Sequence, residues 1–291
     1  MKTTIKPGSF QYWRTCLLLG TVLSISCIAQ AQLSYTETGT FGTLDQNDAN
    51  VTSLYGVNGC VPTSVANGLI WLNNAYGPFN GAGGPLIKTG NGTYDTVTSL
   101  GTLMGTTTGG TSYSGEVNGL SSYIGTAPPG QQVSPPVTIS GGQISGGLGG
   151  FTQIQNSKPT ASYLYNQLFA NNAVEFWISW GTNFTSPTFT NGAHSLTLTG
   201  ISINAAGNAG SVSFIDPSGA ASFTGVAWTL SASGYMFITG DPAADTDNAS
   251  GYTTGVISTD LVESAPEPTT FALLGIGVVG LGLRRFFRRA K

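Results

Sequence analysis

Between residues 32 and 265 the chain contains one cysteine, Cys60, and one histidine, His194. The other two cysteines, Cys16 and Cys27, lie within the first 31 residues. A thiolate can attack a carbonyl carbon if an imidazole handles the proton and a carboxylate orients the imidazole. Asp216 is the candidate carboxylate. The expected chemistry is hydrolysis through an acyl-enzyme, with Cys60, His194 and Asp216 as catalytic residues and with neither metal nor cofactor. One Cys and one His cannot supply the four ligands of a structural zinc site. Asp241, Asp245 and Asp247 lack the spacing of a calcium loop and read as a solvated acidic segment.

The elements that must position these residues are legible in the local pattern. Val61, Val65, Leu69 and Leu72 recur at helical spacing and predict a helix over 60–75. Asn58-Gly59 suits its start and Pro62 falls in its first turn, where a missing N–H costs nothing. Cys60 is thereby placed at a helix N-terminus, where the dipole and unpaired N–H groups favour a thiolate and an oxyanion. A second helix fits 160–171. Residues 174–180, 194–203, 211–216, 222–230 and 235–239 read as strands, being β-branched and aromatic runs bounded by turn residues. Thr93–Met104 and Gly115–Ile124 fit short strands or a helix. Residues 33–58 read as strands and loops.

Residues 204–209, Asn-Ala-Ala-Gly-Asn-Ala, form a turn signal that joins two of these strands into a hairpin. His194, Leu196 and Leu198 share one face, as do Val212, Phe214 and Asp216. His194 and Asp216 then lie at the same end of the ribbon on its buried face. A slip of one residue would separate them.

The ends of the chain give its address. Lys2, Lys6 and Arg14 precede an apolar stretch from Cys16 to Ile28 and the Ala29-Gln30-Ala31 cleavage pattern, so residues 1–31 read as a secretory signal peptide. Pro266-Glu267-Pro268, an apolar run from Phe271 to Leu283 and arginines at 284, 285, 288 and 289 follow at the other end. This layout resembles the PEP-CTERM sorting signal of Gram-negative bacteria. The resemblance implies a short transmembrane helix over the run, processing by an exosortase-type protease, and a domain held transiently at the inner membrane. The destination it implies is the cell surface, the outer membrane or the extracellular space.

Between the two signals only Lys88 and Lys158 are basic, 2 against 12 acidic residues, a net of −10. Such a domain cannot neutralise phosphates, which excludes nucleic acid as a partner. With one thiol it can form no internal disulfide.

Three blocks resemble papain-like cysteine peptidases, nearest the bacteriocin leader peptidase and streptococcal immunoglobulin-degrading types. Gly59-Cys60-Val61-Pro62-Thr63-Ser64 and the residues to Leu72 resemble the nucleophile helix. Ala193-His194-Ser195-Leu196-Thr197-Leu198 resembles the histidine strand, and Phe214-Ile215-Asp216-Pro217 the aspartate strand. The resemblance implies an α+β papain-like fold, with an N-terminal nucleophile helix packed on an antiparallel sheet, and a peptide or protein substrate. It departs at one point. The polar oxyanion donor usual upstream of the cysteine is absent, since Leu54 stands six residues before it; Asn50, Asn58 and Gln46 are the substitutes.

The expected layout is a signal peptide over 1–31, a peptidase domain over 32–240, a polar linker over 241–264 and the sorting signal over 265–291. A serine nucleophile, Ser64 or Ser195, is the rival within the same chemistry, without a Gly-x-Ser-x-Gly elbow to support it. Transfer to an amine uses the same triad and stays open. The rival class is a non-catalytic surface or matrix protein, which the Gly-, Thr- and Ser-rich middle suits.

Overall fold

The computed structural model describes residues 32–76, 80–81, 84–85, 87–88, 93–124, 138–140, 158–180, 192–239 and 254–264. The signal peptide expected over 1–31 and the apolar C-terminal run lie outside these residues. Among the described residues no helix is long and apolar enough to cross a membrane.

Among the described residues seven strands and five helices organise the fold: β1 (Leu33–Thr36), α1 (Ala49–Tyr55), α2 (Cys60–Tyr76), α3 (Tyr94–Met104), α4 (Tyr113–Ile124), α5 (Ala161–Phe169), β2 (Ala173–Trp180), β3 (Ala193–Ile203), β4 (Ala209–Asp216), β5 (Ala221–Leu230), β6 (Met236–Thr239) and β7 (Thr254–Ser264). The described residues also include two short paired strands, Asn80–Gly81 and Gly84–Pro85, a short strand, Thr138–Ser140, and a 3-10 turn, Ser218–Ala220.

Strands β2 to β7 bond in the order β3-β2-β7-β6-β5-β4, and β4 returns to pair with β3. All these pairs are antiparallel, so the six strands form a closed barrel. This corrects the papain-like α+β arrangement expected from the sequence. The reason lies in residues 254–264. They read as the end of a polar linker, yet they form β7, which bonds β2 along most of its length and reaches β6 at its start. Without β7 the sheet would be open; with it, both edges are paired. The linker expected over 241–264 therefore ends before Thr254.

Two apolar clusters result. The barrel interior holds Phe176, Ile178, Leu196, Leu198, Phe214 and Trp228 from alternate strand positions, with Leu164 and Leu168 of α5 packed among them. The outer face of the barrel is covered by helices, where Val65, Leu69, Leu72, Leu100 and Leu120 pack with Trp177 and Leu261. Both faces of β2 are thus buried, and every residue of that strand is inside. Helix α2 lies across β2 and β3. Its apolar stripe forms as the spacing predicts, and Thr63 ties the first turn through N–H and hydroxyl bonds to the Gly59 carbonyl, at 3.2 and 2.8 Å.

Close approach fixes several glycines, two of them in or next to α2. A Cβ on Gly59 would overlap Val51 of α1, and one on Gly68 would overlap Glu175 Oε1 of β2. Helix α1 replaces part of the loop read over 33–58; Asp48 caps it by accepting from the Asn50 N–H at 2.8 Å.

Candidate active site

The site sits at the end of the barrel where β3 begins and β4 finishes. The residue turn at 204–209 closes as expected, with Asn204 N–H bonded to Ala209 O at 2.8 Å. Alternation then puts His194 and Asp216 on the interior face, at the barrel mouth. His194 Nε2 donates to Asp216 Oδ1 at 2.8 Å, and both side chains are buried. Asp216 Oδ1 also accepts from the Ser218 N–H at 2.7 Å. Trp180 stacks on the imidazole, with centroids 6.4 Å apart and planes 19° from parallel.

The loop after Asp216 is laced to the segment before α1. Gln46 N–H donates to Pro217 O at 2.8 Å, and Gly219 N–H to Asp45 Oδ1 at 3.0 Å. The loop that follows the carboxylate is thus anchored to the segment before α1.

Cys60 is the first residue of α2, a free thiol at intermediate exposure. It approaches the His194 ring at the mouth of the barrel. Since Asp216 takes Nε2, the nitrogen left for the thiol is Nδ1. Burial pulls the His194 pKa down, but the charge and hydrogen bond of Asp216, with smaller help from Cys60, outweigh it. The net result lies well above the ordinary 6.5. Cys60 and His194 open onto one cleft of about 500 Å³. Its walls include Gly109, Gly110 and Gly192, and Tyr113 and Trp177 line it edge to face, at 5.9 Å and 88°.

The three residues expected to act together are therefore together. The oxyanion candidates separate. Asn58 lines the cleft, and its Nδ2 donates to Thr108 O. Asn50 lies exposed on α1 with its Nδ2 on Asp48 Oδ1 at 2.9 Å, away from the cleft lining. Gln46 is buried, with Nε2 committed to Val57 O at 2.9 Å. Ser64, the rival nucleophile, donates to the Ser195 carbonyl at 2.6 Å, and Ser195 faces away from His194.

Sequence reasoning missed what lies behind the cleft. Glu116 of α4, Glu175 of β2 and Glu263 of β7 are fully buried between the helical layer and the barrel. Glu175 and Glu263 approach each other, and Glu116 approaches the Trp177 indole N–H. Even so, none of the six carboxyl oxygens completes a hydrogen bond of good geometry. Burial foremost, then mutual repulsion, raises Glu116 and Glu175 well above the ordinary carboxyl range. Burial raises Glu263 to about 7, with partial relief from Glu175. The signal was present in Ala-Val-Glu-Phe-Trp-Ile-Ser-Trp, where period two sends Glu175 to the helix-covered side with Trp177. Among the described residues no group of three or more His, Cys, Asp or Glu side chains is arranged to hold a metal ion.

Residues 264–289 match the PEP-CTERM protein-sorting motif. The chain carries a surface-sorting signal. That motif marks an exported protein of a Gram-negative-type envelope, anchored transiently in a membrane and processed by exosortase. No curated protein and no solved structure matches the chain. The papain-like resemblance of the three blocks thus rests on their residues alone.

Proposed function

We propose that the barrel domain is an exported cysteine hydrolase acting on amide bonds, most naturally those of a peptide. One observation carries this reading: a free thiol at a helix tip and a buried His–Asp couple meet at an open cleft. Cys60 gives its thiol proton to the His194 ring and attacks the carbonyl carbon, and its S–C bond forms as the carbonyl electron pair moves to oxygen. The Cys60 backbone N–H, unpaired within the helix, and the second N–H of the Asn58 amide, whose first is held by Thr108 O, are the oxyanion donors at the cleft. His194 passes a proton to the leaving amine as the C–N bond breaks. It then takes one from the water that releases the acid and the thiol. Asp216 keeps the ring in one orientation throughout.

The test is alkylation by iodoacetamide at pH 6, read at the Cys60 peptide by mass spectrometry. The native thiol should react faster than the same thiol in the denatured chain, and His194→Ala should abolish the difference. Equal rates in native and denatured protein would remove the hydrolase reading and favour a non-catalytic surface or matrix protein.

A further inference from the structure

Ser64 follows Cys60 by one helical turn and faces β3. Its hydroxyl donates to the Ser195 carbonyl at 2.6 Å, and Thr197 Oγ1 donates back to the Ser64 carbonyl at 2.9 Å. Ser64, Ser195 and Thr197 are fully buried. Ser195 and Thr197 share the outer face of β3, while His194 between them and the barrel mouth points to the interior. Helix α2 and strand β3 are therefore joined twice, in opposite directions, beside the two residues that must meet.

The surroundings make these bonds conspicuous. Val61, Val65, Ala66 and Leu69 supply the apolar contact that holds α2 to the barrel. Apolar contact is non-directional, so it resists separation of helix and strand more than it resists sliding. A slide of one residue moves a helix by about 1.5 Å along its axis. Buried hydroxyls add nothing to apolar packing and are costly unless bonded. Their bonds do, however, fix phase and register.

We propose that the reciprocal Ser64–Ser195 and Thr197–Ser64 bonds form a staple that sets the Cys60 sulfur against the His194 ring. Ser64 and Thr197 are then positioning residues of the hydrolase proposed above, on which this inference rests. Ser64, a rival nucleophile by sequence, instead serves the neighbouring thiol.

The experiment measures the rate of Cys60 alkylation from pH 5 to 9 on protein exported from its full-length chain, with thermal unfolding followed in parallel. Ser64→Ala and Thr197→Val each remove one hydroxyl; Thr197→Ser keeps it; His194→Ala is the reference. Both hydroxyl losses should lower the rate at pH 6 by about tenfold, short of the roughly 100-fold cost of a 1 Å misplacement, and shift the pH profile toward that of His194→Ala. Thr197→Ser should retain the native profile. Native profiles in both Ser64→Ala and Thr197→Val overturn the staple, as does an equal loss in Thr197→Ser. A His194→Ala profile identical to the native one removes the hydrolase reading instead. Should Thr197→Val fail to fold, Ser64→Ala against Thr197→Ser decides.

Discussion

Glu263→Gln should make the protein more stable at pH 8 and leave it nearly unchanged at pH 5. Glu263 lies with Glu175 and Glu116 between the barrel and α2 and α4; Glu175 is its direct carboxyl neighbour, and Asp260 faces Glu116 in the same layer. The two lysines among the described residues are engaged elsewhere: Lys88 bonds Ser99 beside Tyr123, and Lys158 bonds the Ser233 carbonyl. With its pKa raised from 4.5 to about 7, Glu263 binds more proton in the native state than in the unfolded state across that interval. The contribution of this residue is then fully present below pH 4.5 and is lost as pH rises through 7, by about 3 kcal/mol. Gln keeps the shape and removes the titration. Urea unfolding followed by tryptophan fluorescence should show a higher midpoint for the variant at pH 8 with an unchanged slope. The corresponding Tm gain is roughly 6–12 °C for a domain of this size. His194 also loses stability as pH rises through its own raised pKa, but it does so equally in both proteins. Parallel pH curves for the two, or a variant less stable at pH 8, would refute a neutral carboxyl cluster.

Four further outcomes follow from the geometry. Asp216→Asn should lower the His194 pKa, because burial then acts without its opposing charge; the chain has a single histidine, so one NMR imidazole titration reads it directly, and an unmoved titration contradicts the assignment. Gly68→Ala should destabilise by about 1–3 kcal/mol in chemical denaturation despite the better helix propensity of alanine, because the new methyl overlaps the Glu175 carboxyl; a stabilised variant would show that the carboxyl can move. Asn58→Ala should reduce kcat on a cleaved peptide by about 100-fold if its amide serves the oxyanion, while Asn50→Ala leaves kcat alone. Ending the chain at residue 253 should yield insoluble protein by exposing the edges of β2 and β6, whereas ending it at residue 264 should leave a folded domain in size-exclusion chromatography.

The local signals were legible where periodicity was clean. Five strands and the helix at Cys60 form within a residue or two of their expected bounds, and the turn at 204–209 brings His194 to Asp216 as alternation requires. Helices α3 and α4 stayed ambiguous because Gly, Ser and Thr blur the 3.6-residue stripe that Val97, Leu100, Val117 and Leu120 form only once packed. Closure of the barrel was hidden in β7. A bulge between Ile257 and Thr259 breaks its alternation, and Asp260 and Glu263 lend it the composition of a linker although both are fully buried. Pairing across more than 70 residues, with Ala173 opposite Glu263, leaves no local trace. The acidic cluster escaped notice for the same reason, since its members come from three distant segments.

The last stave of the barrel and the export address share a border. Strand β7 runs to Ser264, and the sorting motif begins at residue 264. A chain threaded across a membrane from its N-terminus cannot complete this domain until the residues just ahead of the motif have emerged. Folding and delivery are therefore consecutive events at one stretch of backbone. The border between strand and motif falls at residue 264, so the last stave of the barrel ends where the sorting motif begins.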